Sequence, residues 1–346
     1  MTPVTRSSRA EVPSPSAGLR RAAVALLVAV LTVAGTAAAR EPAVGPASVF
    51  SPDLDGPEGL AFTRDGRLLV GSTTGELRAF APDGTSTLFA TVPAPLAGIT
   101  VLSDGRVLAA SVPLDQVWAV SPDGEPSLFV EDIGGPNFIV ESARDGRIYA
   151  SASNGDEIVE ITGGIPQVRA TGLDFPNGLA IREDGGRRHL YVALTLAGQI
   201  VRLAIHADGT LGEPELYAEG LPLVDGIAFD RPGNLLAVGL GVLRVVKTNG
   251  EVELLSEDPL YDWPANLAFG QGPGFSTRDI YFANFGPAFG DGTDVVVQRY
   301  SNPGAPLASA ARGGGVCGQR SLRQSNSKQG GPIRCDAGLR RRLARR

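Results

Sequence analysis

Four residues with oxygen-bearing side chains occupy the same position in a phrase that the chain repeats. They are Glu58, Asn137, Asn177 and Asp225. Hard divalent cations prefer such a mixture of carboxylate and amide oxygens, and water completes their coordination. None of the four is Cys or His, which argues against a closed structural zinc site. The set therefore predicts a site for one divalent metal cation.

The repeated phrase places these residues in register. Its six copies are PEGLAF from Pro57, LAGITV from Leu96, PNFIVE from Pro136, PNGLAI from Pro176, VDGIAF from Val224 and PANLAF from Pro264. Their starts lie 39, 40, 40, 48 and 40 residues apart. A period near 40 residues with β-rich units is typical of propellers. We predict an all-β, six-bladed β-propeller, whose rotational repeat gathers the second position of each phrase around one axis.

Turn formation is the ordinary role of the residues at these positions. Asn or Asp before Gly is common in turns, as at Asn177-Gly178 and Asp225-Gly226. Glu58 has no such turn preference. Four oxygen donors at one register therefore favour a metal site over four unrelated turns.

The last repeat ends before it supplies an outer strand. Residues 46–50 resemble the outer strand at 85–90 of the first repeat. We expect residues 46–50 to pair with a strand at 295–300 and to close the last blade. Such closure leaves no open sheet edge in the ring.

The termini differ in composition from the repeats, so we divide the chain into a signal peptide at 1–39, a propeller at 40–307 and a disordered basic tail at 308–346. Arg20-Arg21 precede a largely apolar run that ends in Ala37-Ala38-Ala39, a small-residue cleavage site. We expect export to the periplasm or the medium and no stable membrane span after cleavage. An uncleaved anchor is the alternative.

The charge distribution excludes one class of partner. Residues 46–307 hold 34 acidic and 16 basic residues, whereas nucleic-acid binding needs clustered Lys and Arg. The two cysteines, Cys317 and Cys335, both lie in the basic tail, where they could pair after export. The tail has few large apolar residues, a composition typical of disorder.

The phrases PEGLAF, PNGLAI and VDGIAFD resemble the senescence marker protein/gluconolactonase family, which includes regucalcin, over about residues 46–300. The resemblance implies a six-bladed propeller that binds one divalent metal, often calcium, and hydrolyses lactones or related esters. Magnesium, manganese and zinc are the alternatives to calcium. The family's metal ligands fall on Glu58, Asn177 and Asp225, and a further Asn near metal and substrate falls on Asn137.

The chain departs from the sugar-lactone members of that family at two positions. An Arg and an Asp flank the third-repeat Asn in those members, and Gly135 and Phe138 stand there in this chain. The departure suggests a more apolar substrate than a sugar acid.

Other catalytic devices are absent from the sequence. It holds no G-x-S-x-G elbow and no H-E-x-x-H helix, and we expect its two histidines, His189 and His206, in outward hairpins. We therefore predict a metal-dependent lactonase or esterase, monomeric and acting on a small molecule. Asp225 would serve as metal ligand and general base, while Asn137 would orient water or substrate.

The pocket walls are predicted from the aromatic residues near the axis. Phe138, Phe285 and Phe289 are the candidates, and the loop 284–291 would cover the channel mouth.

Two alternatives share the repeat pattern. A non-enzymatic binding propeller resembling the NHL repeat group needs no carboxylates at the axis. A propeller resembling strictosidine synthase would show a Glu base without the full metal set. We call Glu58, Asn137, Asn177 and Asp225 the ring residues. Whether they converge on the axis separates these possibilities.

Overall fold

A computed structural model describes residues 43–288 and 290–301. In these ranges the chain forms six four-stranded antiparallel sheets; five correspond to one sequence repeat each, and the sixth combines the last repeat with the N-terminal strand. The fold is the predicted six-bladed β-propeller. No helix among the described residues is long and apolar enough to span a membrane.

In blades 1 to 5 the strands follow the chain from the axis outwards. The N-terminal strand is β1 (Val44–Ser51). Blade 1 comprises β2 (Pro57–Phe62), β3 (Leu68–Ser72), β4 (Glu76–Phe80) and β5 (Ser86–Thr91), and blade 2 comprises β6 (Ile99–Val101), β7 (Val107–Ser111), β8 (Gln116–Val120) and β9 (Pro126–Glu131). Blade 3 comprises β10 (Pro136–Glu141), β11 (Ile148–Ala152), β12 (Glu157–Glu160) and β13 (Gln167–Ala170). A 3₁₀ turn at Thr162–Gly164 separates β12 from β13.

Blades 4 to 6 repeat the same order. Their strands are β14 (Pro176–Asp184), β15 (Arg187–Leu194), β16 (Gln199–Ala204), β17 (Glu215–Glu219), β18 (Ile227–Phe229), β19 (Leu235–Gly239), β20 (Val242–Val246), β21 (Val252–Ser256), β22 (Pro264–Phe269), β23 (Asp279–Asn284) and β24 (Asp294–Tyr300). The first hairpin of blade 4 is long, as its expanded repeat predicts.

Burial follows the position of each strand in its blade. The second strands β3, β7, β11 and β19 are buried along their whole length, because neighbouring blades cover both of their faces. The outer strands β5 and β9 bury only part of their residues. The core therefore lies between the blades and surrounds the axis.

The N-terminal strand closes the ring, as predicted. β1 pairs antiparallel with β24, with Val44 opposite Tyr300 and Val49 opposite Val296. Gln298 Nε2 also donates to the Gly45 carbonyl at 2.6 Å. The sixth sheet thus has the order β1-β24-β23-β22, and strands from both ends of the fold build one blade.

The inner strands carry irregularities where the ring residues lie. The register between β2 and β3 shifts between Pro57 and Leu60, and β14 shifts in the same way between Pro176 and Leu179. A bulge of this kind redirects side chains and is common beside functional sites. In each of these strands the shift contains the ring residue.

Glycine after the ring residue permits close contact between blades. A Cβ atom on Gly59 would lie 2.3 Å from the Ala97 carbonyl oxygen, and one on Gly178 would lie 2.2 Å from that of Asp225. Only glycine fits such an approach without displacing the backbone. These contacts hold the ring residues of adjacent blades together.

Candidate active site

One cavity of about 770 Å³ brings the four ring residues together. It opens at the end of the channel where the inner strands begin. Glu58, Asn137 and Asn177 lie on β2, β10 and β14, and Asp225 lies just before β18. All four line the cavity, so the structure brings together every residue of the predicted set.

Two carboxyl groups lie close to each other without a cationic partner. Burial raises the pKa of Glu58 well above its ordinary value, and the neighbouring charge of Asp225 raises it further. Burial also raises the pKa of Asp225 to about 8, against the opposing effect of a hydrogen bond from Asn177. No Lys, Arg or His belongs to the described lining. The cavity is therefore suited to a bound cation.

The amide of Asn177 has a defined orientation. The Thr195 hydroxyl donates to the Val224 carbonyl at 2.8 Å, so its oxygen must accept the hydrogen bond from Asn177 Nδ2 at 3.3 Å. This assignment places the amide nitrogen toward Thr195. Asn177 Oδ1 is buried and finds no hydrogen-bond partner among the described residues. A buried acceptor without a partner is costly, and a cation would satisfy it.

Asn137 completes the set from blade 3. Its side chain is 7% exposed and lines the cavity. Its carbonyl accepts a hydrogen bond from the Gly98 backbone at 2.9 Å, which joins blades 2 and 3 beside the site. Asn137 can therefore contact a ligand directly or through water.

The prediction for Phe138 is wrong. Phe138 is absent from the cavity lining and packs against the core cluster that includes Leu179 and Val192. Successive side chains of a strand point to opposite faces. Because Asn137 faces the cavity, Phe138 faces the contact between blades 3 and 4.

The prediction for Phe285 is confirmed, since Phe285, Gly286 and Pro287 line the cavity. The loop that holds them is tied to blade 1, where Gly56 N donates to the Gly292 carbonyl at 2.9 Å. Residues 285–287 thus form part of the cavity wall. The third candidate, Phe289, lies outside the described residues.

The remaining lining is mostly apolar and was missed from the sequence. It comprises Pro95, Leu96, Ala97, Val112, Pro113, Phe175, Leu196, Leu223 and Trp263, with two hydroxyl groups from Thr73 and Thr195. Two repeat positions supply many of these residues: the residue before each phrase and the residues after each second strand. The same period that revealed the ring could have revealed them.

Neither histidine belongs to this site. His189 lies on β15 and His206 follows β16, and neither lines the cavity. Within the described ranges no group of three or more His, Cys, Asp or Glu side chains is arranged to hold a metal. A metal here would thus depend on two carboxylates and on amide oxygens.

These residues fit a hard divalent cation. Glu58 and Asp225 offer negative charge that nothing else in the described lining offsets, and Asn177 offers the unpaired Oδ1 atom. Calcium and magnesium take this all-oxygen chemistry, usually with waters in addition. Zinc more often takes nitrogen and sulfur ligands.

Comparison with solved structures agrees with the resemblance in the repeat phrases. A gluconolactonase from Xanthomonas campestris shares 20% sequence identity at a TM-score of 0.61, over 74% of this chain and 89% of that chain. A calcium-binding protein, regucalcin, from Agrobacterium tumefaciens shares 18% identity at a TM-score of 0.57, over 74% and 93%. No family model and no curated protein matches the sequence.

The same fold also serves other chemistry. Virginiamycin B lyase from Staphylococcus aureus matches at a TM-score of 0.54 with 16% identity, over 75% of this chain and 99% of that chain. At these identities the likeness establishes the propeller fold alone. The function must be argued from the site.

Proposed function

We propose that the protein is an exported, metal-dependent hydrolase that opens lactones or cleaves carboxylic esters. One observation carries the proposal: two half-buried carboxylates, with no cationic side chain in the described lining, share a cavity with an unpaired amide oxygen. The gluconolactonase among the fold neighbours supports this class of reaction. Export rests on the sequence of residues 1–39, which lie outside the described ranges.

Three side chains would hold the cation. Glu58 and Asp225 balance a divalent charge, and Asn177 adds a neutral oxygen without further repulsion. When bound, the cation would polarise the ester carbonyl and lower the pKa of water. Calcium is the first candidate, in line with the regucalcin neighbour.

Asp225 would accept the proton of the attacking water. It is the carboxylate that contacts Asn177, so its orientation is coupled to that of a second ligand. A general base must lie within hydrogen-bond reach of the proton that it accepts. Asn137 would orient the water or the carbonyl from blade 3, and the apolar lining would exclude bulk water from the reaction.

The test is Asp225→Asn, which keeps the shape and one oxygen but removes the charge and the basicity. Metal affinity, measured by calorimetry with Ca²⁺, Mg²⁺, Mn²⁺ and Zn²⁺ separately, should fall at least about tenfold, since ligand charge sets affinity. Hydrolysis of lactones and aryl esters should be lost. Asp123→Asn, in an exposed turn of blade 2, is the matched control and should retain both.

Two outcomes would contradict the proposal. Wild-type protein that binds no divalent metal would refute the site. Metal binding without hydrolysis of any lactone or ester would refute the enzyme and favour a binding propeller.

A further inference from the structure

Four large apolar residues adopt a backbone conformation that such residues rarely take. Among the described residues, eight other than glycine have positive φ, and four of these are Asp, which tolerates the left-handed region. The other four are Phe175, Leu223, Leu240 and Trp263, with φ of 54°, 50°, 51° and 52°. Strained residues of this kind cluster at functional sites.

Three of the four line the cavity, and they share one repeat position. Phe175, Leu223 and Trp263 each directly precede the phrase of their blade, in blades 4, 5 and 6. The position is occupied in chain order by Gly56, Pro95, Gly135, Phe175, Leu223 and Trp263. We call Phe175, Leu223 and Trp263 the apolar wall.

The fold itself does not require large residues at this position. Gly56 and Gly135 adopt the same left-handed conformation, with φ of 58° and 71°, and glycine does so without steric cost. Phe175 and Trp263 also precede prolines, which favour extended backbone in the residue before them. The large side chains must therefore serve a purpose other than the turn.

The surrounding blade holds this backbone in place. The Phe175 carbonyl accepts from Thr195 N, and the Trp263 carbonyl accepts from Phe285 N, each at 3.2 Å. The glycine positions make the same bond, with Thr73 N donating to the Gly56 carbonyl at 3.1 Å. One hydrogen-bond pattern thus fixes the strand entry in each of these blades.

The wall faces a cavity whose polar groups are few. Beyond the four ring residues, the polar side-chain groups of the described lining are the hydroxyls of Thr73 and Thr195 and the indole N–H of Trp263. The Thr195 hydroxyl is already bonded to Asn177 and Val224. A polyhydroxylated ligand would lose its hydration here for few replacement hydrogen bonds, which is unfavourable. An alkyl or aryl group would gain from the same burial.

We propose that the apolar wall selects lactones and esters that carry a hydrophobic substituent, with the reacting carbonyl at the ring residues and the substituent against Phe175, Leu223 and Trp263. The proposal rests on the proposed hydrolase function. It assigns substrate choice to three residues that take no part in the metal site.

The experiment compares three substrates: δ-valerolactone, a δ-lactone with a pentyl substituent, and D-glucono-δ-lactone. Wild-type protein should give the highest kcat/KM for the pentyl lactone. In Phe175→Gly, Leu223→Gly and Trp263→Gly the ratio of kcat/KM for the pentyl lactone to that for δ-valerolactone should fall about tenfold, the usual effect of lost apolar contact in a pocket.

Glycine is chosen because it adopts positive φ without strain, so the fold should persist. The matched control is Leu240→Gly, which also has positive φ but is 45% exposed and outside the cavity. It should leave the ratio at the wild-type value. Melting temperatures of all four variants, measured by calorimetry, verify that each is folded.

Binding of inert lactams separates this inference from the proposed function. A pentyl-substituted δ-lactam should bind wild-type protein more tightly than unsubstituted δ-valerolactam, and Trp263→Gly should remove the difference. That result supports the inferred preference of the apolar wall for hydrophobic substituents even if no lactone is hydrolysed. Equal lactam affinities, a preference for D-glucono-δ-lactone, or wall variants with the wild-type ratio would each overturn the inference and leave hydrolysis itself untouched.

Discussion

Asn177 and Thr195 are joined by a hydrogen bond whose direction is determined. Thr195 Oγ1 gives its only proton to the Val224 carbonyl at 2.8 Å, so it can only accept from Asn177 Nδ2 at 3.3 Å. The threonine hydroxyl and the Asp225 carboxylate, which also accepts from Asn177, therefore leave the amide oxygen for a ligand. The threonine hydroxyl acts on the proposed metal site without belonging to it.

Thr195→Val should weaken metal binding. Valine keeps the shape but removes the acceptor, so the Asn177 amide loses one of the two hydrogen bonds that orient it, and its oxygen is held less firmly. Loss of such a supporting hydrogen bond typically lowers metal affinity by about 10- to 100-fold. Calorimetric titration with Ca²⁺ measures this change. Thr85→Val, in an exposed hairpin, should bind as wild type, and an unchanged affinity in Thr195→Val would contradict the assigned orientation.

Glu58→Gln should have opposite effects on the metal-free and the metal-loaded protein. Burial and the Asp225 charge both disfavour ionised Glu58 and raise its pKa. A neutral amide of the same shape should therefore raise the melting temperature of the metal-free protein, by about 2–4 °C for each kcal/mol gained. The rise in melting temperature on adding metal should be smaller than in wild-type protein, because one ligand charge is lost.

Scanning calorimetry with EDTA and with excess Ca²⁺ measures the melting temperatures of metal-free and metal-loaded Glu58→Gln. Glu76→Gln, which alters a partly exposed ion pair with Arg78 on β4, is the control and should leave the metal-induced rise unchanged. A metal-free Glu58→Gln protein that melts below wild type would show that the carboxylate is structurally favourable.

Phe50→Ala should destabilise the whole propeller, because Phe50 lies on the closing strand. Its ring packs edge-on against Tyr281 at 5.0 Å and contacts Phe80 and Phe275. We expect a loss of about 3 kcal/mol, as for other aromatic truncations in cores. Urea unfolding measures this loss. Val49→Ala, at a 44% exposed position of the same strand, should change stability by less than about 0.5 kcal/mol.

If Phe50→Ala and Val49→Ala had the same free energy of unfolding, the packing of β1 in the last blade would not be a source of stability, and the prediction would be wrong.

Glu160 should make the fold sensitive to acid. Its side chain is buried and bonds to Arg147 at 2.8 Å and to Arg169 at 2.7 Å. Burial alone would raise its pKa, but the bonds from Arg169, Thr162 and Arg147 outweigh burial and lower the pKa. The ionised form therefore stabilises the fold above the unfolded pKa of about 4.3. This stabilisation is lost as the pH falls through the lower pKa that Glu160 has in the folded protein.

Glu160→Gln should cost about 2–3 kcal/mol at pH 7, the value of charge-assisted hydrogen bonds, and less at pH 3. Urea unfolding at both pH values measures the change. Glu215→Gln removes a 63% exposed partner of Arg202 and should cost less than about 1 kcal/mol. A Glu160→Gln penalty that is the same at pH 3 and pH 7 would contradict the assigned pKa direction.

The ring residues could be predicted from the sequence because the period is visible there. Each copy of the phrase places one residue at one register, so Glu58 and Asp225 meet although 167 positions separate them. The closing strand was predictable for a related reason, since the last repeat lacked an outer strand and residues 46–50 matched one. Repetition turns a long-range contact into a local pattern.

The repeat period marks the positions of the cavity wall, but the backbone conformation of these residues could not be predicted from the sequence. Local propensity gives no indication that Phe175, Leu223 and Trp263 adopt positive φ, because large apolar residues disfavour that region. Phe138 is aromatic and adjacent to Asn137, which wrongly predicts it in the pocket. Adjacent residues of a strand face opposite ways, so the neighbour of a cavity residue is a poor candidate for the cavity.

The pairing of β1 with β24 also sets an order of events during synthesis. Val44 leaves the ribosome more than 250 residues before its partner Tyr300, so the first strand keeps both of its edges unpaired for most of translation. Such edges promote association between nascent chains. Glu58, Asn137, Asn177 and Asp225 are all synthesised before the ring can close. The ligand-binding geometry therefore becomes available only when the last strand of the propeller has been made.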